Sequence, residues 1–228
     1  MTGEIVSYMF VLLVGPKGSG KSYIGRTLER SLGVLFFHVE PLWIEYYADC
    51  RATGRQPSIA EAISKVHPRI ADALRTHENV CAETTGASPE ILNDLLSLAP
   101  PSETLVVRVS APLELCLERI ATRDQTNQVP MDVESIREVY ELGAAAVFQT
   151  HFTLECATLS EAEIVFRFKS ALARPSRRSA SPDRATQGCA ENLLLTILFI
   201  FSGPQSPGVV HAHFRRFRPA GFRSRRGE

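Results

Sequence analysis

The 228-residue chain is long enough for one substantial domain, with or without an appendage. Its 25 basic and 25 acidic side chains cancel, so no whole-chain charge argues for nucleic acid or a membrane surface as partner. Five scattered cysteines, an odd number without a close pair, give no sign of a zinc site or redox dithiol and favour a reducing cytoplasm.

The first predicted element is an apolar run, Ile5–Val14, read as a buried strand because no basic leader or small-residue cleavage site accompanies it. Further strands are expected at Val34–Val39, Asn79–Ala82, Thr104–Val109 and Phe152–Ala157. Between them, helical spacing of apolar residues marks Lys21–Leu32, a region from Pro41 to about Thr76, Pro89–Leu98, Pro112–Arg123 and Val133–Phe148. Pro89 and Pro112 sit where a first-turn proline is tolerated. A last helix is expected from Ser160 to about Leu172, where Ser160 and Glu163 form a capping-box pattern. Short strands alternating with helices point to an α/β fold, a parallel sheet with helices on both faces.

After Ala173 the composition changes. Ten arginines and no lysine stand against three acids in residues 174–228, a local charge of +7 that leaves residues 1–173 at −7. The chain is therefore divided into a domain over 1–173 and an arginine-rich, poorly ordered extension over 174–228. The apolar segment at 193–201 is much shorter than the roughly 20 residues that cross a bilayer, so no transmembrane segment is expected. The basic tail could meet nucleic acid or an anionic membrane, but a solvated tail without a dedicated partner is favoured.

The most specific feature is Gly15-Pro16-Lys17-Gly18-Ser19-Gly20-Lys21-Ser22, which fits G-x-x-x-x-G-K-[ST] between a strand and a helix. Glycines permit a tight turn whose N–H groups converge on an anion at a helix N-terminus. Lys21 is expected to reach the β- and γ-phosphates and Ser22 to coordinate Mg2+. Lys17 either touches phosphate or is solvated at the loop tip. Gly25, one turn into the helix, is expected to permit close packing against the sheet.

No N-K-x-D or T-K-x-D segment of a guanine-specific switch is present. The chain resembles the shikimate kinase, adenylate kinase and gluconate kinase group of small P-loop kinases, and is similar to polynucleotide kinase-type domains. The likeness runs from about Phe10 to Leu172 and includes "PLELCLERIATRD" followed by "VPMDVESIREVYE", which resembles a helix, an arginine-bearing lid and the next helix. It implies a three-layer P-loop NTPase fold with sheet order 2-3-1-4-5, ATP as donor, Arg119 near the adenine or phosphates, and Arg123 as the cation stabilising the transferring phosphoryl group.

Ligands of open α/β sheets bind beyond the carboxyl ends of the strands, where Glu83 and Glu40 fall. Given the family's strand order, Glu83 would face the metal or the attacking hydroxyl, and so is a candidate for both catalysis and metal binding. Glu40 stands where shikimate kinases carry the second acid of an Asp-x-Asp pair, and His38 replaces the first. "ETTGAS" replaces their triple-glycine turn, retaining Gly86. Both departures count against a strict shikimate kinase. His38 is read as packed or solvated, and Thr84 and Thr85 as bonded to substrate or backbone. Trp43, Tyr46, Tyr47 and Arg51, with Arg55 and Arg69, are candidates for an anionic acceptor's site, although Trp43 and one tyrosine are expected to pack in the core. The expected activity is transfer of phosphate from ATP to a hydroxyl of a small-molecule acceptor. The alternatives are a regulatory nucleotide-binding ATPase, or a nucleic-acid 5′-kinase.

Overall fold

The computed structural model describes residues 9–124, 129 and 131–173. The chain divides after Ser176 into two units, and the described residues all belong to the first. In chain order they form β1 (Met9–Val14), α1 (Lys21–Leu32), β2 (Leu35–Phe37), α2 (Glu40–Ala52), α3 (Ile59–Thr76), β3 (Asn79–Thr84), α4 (Pro89–Leu96), β4 (Thr104–Ser110), α5 (Leu113–Thr122), α6 (Val133–Ala145), β5 (Phe152–Glu155) and α7 (Glu161–Leu172). A short 3-10 turn, Pro101–Glu103, precedes β4. The extension at 174–228, with its expected partners, lies outside the described residues, as does most of the expected lid.

All strand pairs are parallel, in the order β2-β3-β1-β4-β5. The expected order is therefore observed, with β1 in the centre. Strand alternation sends successive side chains to opposite faces. Phe10, Leu12 and Val14 join Val80, Ala82 and Val106 in the core beneath α3 and α4, where Val66, Ile70, Leu92 and Leu95 are buried. Val11 and Leu13 join Cys81, Val107 and Val109 on the other face, beneath Ile24 and Leu28 of α1 and Ile164 and Phe168 of α7. β1 buries both faces, which explains its unbroken apolar run.

The region from Pro41 to Thr76 is two helices, not one. They meet at a turn in which the Tyr46 hydroxyl donates to the Ser58 carbonyl and accepts from the Ser58 N–H. Pro68 lies inside α3 without ending it. An interior proline costs about 3 kcal/mol, and burying each large aliphatic side chain returns about 1.5–3 kcal/mol, so Val66, Ile70 and Leu74 together outweigh it. At the other end of the domain Ser160 caps α7 by accepting from the Glu163 N–H, as its capping pattern implied.

Gly25 makes the expected close approach. A Cβ there would sit 2.3 Å from two ring carbons of Phe36, so only glycine lets α1 lie this near β2. This contact sets the height of α1 over the sheet and hence the position of the glycine turn at its start.

Candidate active site

β1 delivers the chain into the turn at the carboxyl edge of the sheet, and the Gly15 N–H is anchored there by the Thr84 carbonyl of β3 at 3.1 Å. Gly18 and Gly20 have φ of 83° and 103°, a region that L side chains rarely adopt. Side chains at Gly15 and Gly18 would also collide with backbone, 2.0 Å from the Val109 oxygen and 2.5 Å from the Cys116 oxygen. A Cβ on Gly20 would touch Cys156 at 3.3 Å. The turn is thus backed by α5 and by the end of β5, leaving glycine no substitute.

α1 begins directly after the turn without a side-chain cap and without an acid in its first turn. Its leading N–H groups carry the positive end of the helix dipole and have no internal partner, which suits an anion. The Ser19 hydroxyl is buried in the same turn with no hydrogen-bond partner among the described residues. These features fit a polyphosphate.

Lys21 is buried, and its Nζ donates to the carbonyls of Gly15 at 2.7 Å and Pro16 at 2.9 Å, folding the side chain across the turn. Burial pushes its amine below the ordinary lysine pKa, against the opposing pull of Glu83 and Glu40. The Ser22 hydroxyl donates to the Glu83 carboxylate, 3.1 Å from Oε1 and 3.0 Å from Oε2. β3 lies beside β1 with Glu83 paired to Leu13, and this register sets the carboxylate next to the first turn of α1. Magnesium takes oxygen donors at about 2.0–2.1 Å in octahedral geometry, and a hydroxyl beside a carboxylate fits that donor set. Among the described residues no three His, Cys, Asp or Glu side chains could hold a metal by themselves, so a cation here would complete its shell with phosphate oxygens and water.

Lys17 is not solvated at the loop tip. Its Nζ donates to Glu40 Oε1 at 2.6 Å and to the Val129 carbonyl at 3.3 Å, while the Val129 N–H donates to the same Glu40 oxygen at 3.1 Å. Burial would raise the Glu40 carboxyl, but the Lys17 hydrogen bond and charge, together with the Val129 N–H, overcome it and hold its pKa below the usual range. The glycine turn, the start of α2 and the chain following α5 are joined by this clasp.

Arg119 donates to the carbonyls of Gly18 and Ser19, both at 3.4 Å, and to that of Cys156 at 3.0 Å, so it lies on the rim of the turn. Arg123 is the C-cap residue of α5, half-buried and extended in backbone, since the helix ends at Thr122. Residues 125–128 and 130, which follow it, lie outside the described residues.

On the acceptor side the sequence expectations divide. Tyr46 is buried and bonded to Ser58 and Glu61, Trp43 stacks with Tyr47, and these rings pack as a small core between α2 and α3. Arg55 is exposed and paired with Asp49 and Glu61. Arg51 follows Glu40 by eleven residues along α2, about 16 Å at 1.5 Å per residue, and neither it nor exposed Arg69 is brought to the turn. The Thr84 and Thr85 hydroxyls accept from the Gly86 and Ala87 N–H groups, which shapes the backbone after β3.

Sequence reasoning read His38 as packed or solvated, and the structure packs its ring while adding an approach to Glu83 that this reading missed. Leu35, Phe36 and Phe37 pair with Val80, Cys81 and Ala82, so His38 and Glu83 follow in step, and His38 Nε2 lies 3.5 Å from Glu83 Oε1. Its ring stacks on Phe36 at 5.6 Å between centroids. The signal was its place one residue beyond a buried strand, legible only with the register known. Cys116 and Cys156 behind the glycine turn had no sequence signal.

A family model described as an AAA domain matches residues 10–139. The fold is similar to that of a sugar kinase from Janibacter sp. HTCC2649, at 13% identity and a TM-score of 0.55, covering 72% of this chain and 94% of that one. A gluconokinase from Sinorhizobium meliloti 1021 is similar at 19% identity and TM-score 0.53, covering 75% and 94%. A shikimate kinase from Bacteroides thetaiotaomicron is similar at 15% identity and TM-score 0.51, covering 72% and 98%. No curated protein matches the sequence. These likenesses show the fold, a five-stranded parallel sheet of the P-loop NTPase kind. Among the described residues no helix is long and apolar enough to cross a membrane.

Proposed function

The chain belongs to the AAA domain family, and on that premise we propose that it is an ATP- and Mg2+-dependent kinase that phosphorylates a hydroxyl of a small molecule in the cytoplasm. The carrying observation is the Ser22–Glu83 pair beside the buried Lys21 amine, at the mouth of a glycine turn that ends in an uncapped helix. The names of the structural neighbours, kinases of sugars, gluconate and shikimate, support an acceptor of that size and polarity.

In this reading the backbone of Gly15, Pro16, Lys17, Gly18, Ser19 and Gly20 cradles the phosphates, and Lys21 exchanges its carbonyl partners for the β- and γ-phosphate oxygens. Ser22 and Glu83 would hold the cation, and a magnesium ion there would supply positive charge that offsets that of the phosphates. The transferring phosphoryl group has a loose transition state with charge spread over its oxygens, so Lys21 and Arg123 contribute chiefly by electrostatics and little base strength is needed. A carboxylate has about four lone-pair sites, which lets Glu83 also accept the hydrogen bond of the acceptor hydroxyl. Glu40, committed to Lys17 and Val129, acts by holding Lys17 at the rim rather than as a proton acceptor. Arg119 faces the nucleotide from the outer side of the turn. Residues 1–173 are proposed to carry the activity without the arginine-rich extension.

The test is ADP formation from ATP and magnesium across a panel of sugars, shikimate, nucleosides and nucleotides. Turnover that requires one acceptor class and is lost in Glu83→Gln is expected. ADP release that is the same with every acceptor and with none would replace the kinase by the regulatory ATPase reading.

A further inference from the structure

Among the described residues His38 is a titratable group beside Glu83 that the proposed mechanism leaves unused. It lies one residue past β2, half-buried, with its ring stacked on Phe36 and its Nε2 turned to the Glu83 carboxylate. Neighbouring donors of an octahedral cation with bonds of about 2.1 Å lie roughly 3.0 Å apart. The Ser22 oxygen meets that spacing at 3.0 and 3.1 Å from the two carboxylate oxygens, and His38 Nε2 exceeds it by half an ångström at 3.5 Å. A hydroxyl and an imidazole thus each approach the Glu83 carboxylate. Magnesium favours oxygen donors and keeps its waters, whereas the divalent transition ions, of which manganese is the weakest binder and the nearest to magnesium in its taste for oxygen, also take an imidazole nitrogen.

We propose that His38 supplies a nitrogen donor to the Ser22–Glu83 cation site and gives it a preference for manganese over magnesium. The proposal rests on the reading of Ser22 and Glu83 as the cation-holding pair. The donor difference separates the two ions more sharply than size, because a carboxylate or hydroxyl serves either ion and an imidazole favours one. Stacking on Phe36 holds the plane of the ring, with Nε2 on the Glu83 side.

The experiment uses the full chain loaded with ADP. Manganese and magnesium affinities are measured by competitive titration, and pulsed electron paramagnetic resonance reads nitrogen coupling to bound manganese. Wild type is expected to favour manganese at least tenfold more than His38→Ala does, with a nitrogen coupling that His38→Ala lacks. His38→Asp, which restores an oxygen donor of smaller size, should shift the preference toward magnesium. Both substitutions lie at a half-buried strand end, and circular dichroism with a thermal melt confirms that each variant is folded. If both ions still bind, Ser22→Ala weakens both, and neither His38 variant changes the ratio or the nitrogen signal, His38 only packs and the inference fails while the cation site stands. If Ser22→Ala changes the affinity of neither ion, the cation-site reading itself fails and the inference with it.

Discussion

Lys21→Met separates the work of the buried amine from its place in the fold. The substitution keeps a long flexible side chain and removes the charge. Two hydrogen bonds from a charged donor, to Gly15 and Pro16, are each worth about 1.5–3 kcal/mol. Against them stands the desolvation of an ammonium that is 7% exposed, several kcal/mol. The two nearly cancel, so folding stability should change by about 1 kcal/mol or less, a shift in melting temperature of about 2–4 °C for a domain of this size. The amine's contribution to the transition state has no such offset. Losing one electrostatic donor costs about 2.7–4 kcal/mol, or a factor of roughly 10²–10³ in kcat. The assay pairs coupled ADP release with a thermal melt on the same preparation, using the acceptor found in the panel. Turnover within a few-fold of wild type would remove Lys21 from the mechanism. A fall of more than about 10 °C would show that the carbonyl bonds dominate and that the energetic cancellation is wrong.

Gly25→Ala is expected to destabilise the fold although alanine is the better helix former. The helix-propensity gain of about 1 kcal/mol is outweighed because the new methyl group would lie 2.3 Å from the buried Phe36 ring, and overpacking costs about 1–3 kcal/mol. Chemical denaturation should show a net loss, with Phe36→Leu in the same chain recovering part of it. Glu40 has a folded pKa below its unfolded value, so its contribution is present above the unfolded carboxylate range and is lost as pH falls through the folded pKa. Stability measured from pH 7 down to pH 3 should therefore fall less steeply in Glu40→Gln than in wild type, and parallel curves would show that the Lys17 clasp does not contribute.

Much of this architecture is legible in the sequence because it depends on local pattern. The glycine turn, the alternating elements and the Ser160 cap all follow from spacing and residue type within a few positions. The order of the strands came from family likeness, and the position of Glu83 beside β1 came with it. What resisted reading depends on contacts distant in the chain. Lys17 looked like a loop-tip lysine because nothing near it signals Glu40 or the Val129 carbonyl. His38 looked packed or solvated because its meeting with Glu83 requires the β2–β3 register. Among the aromatic residues of α2, one tyrosine was expected in the core and Tyr46 is that one, but its bonds to Ser58 and Glu61 depend on the break between α2 and α3, which local spacing does not show. Pro68 would ordinarily mark a helix end, and only the burial of its neighbours shows why it does not.

The Lys17 clasp has a consequence for how the site comes into being. It joins positions 23 and 112 residues apart in the chain, through Glu40 and Val129. Closing a long loop costs entropy before any contact repays it, and parallel strands joined by crossovers share that handicap. Helices such as α1 and α7 are stabilised by neighbours three and four residues away, whereas the clasp needs the centre of the sheet assembled and α5 already in place. The rim of the nucleotide site is therefore expected to close later than the glycine turn itself, because Lys17 must wait for Glu40 and for Val129, 112 residues further along the chain.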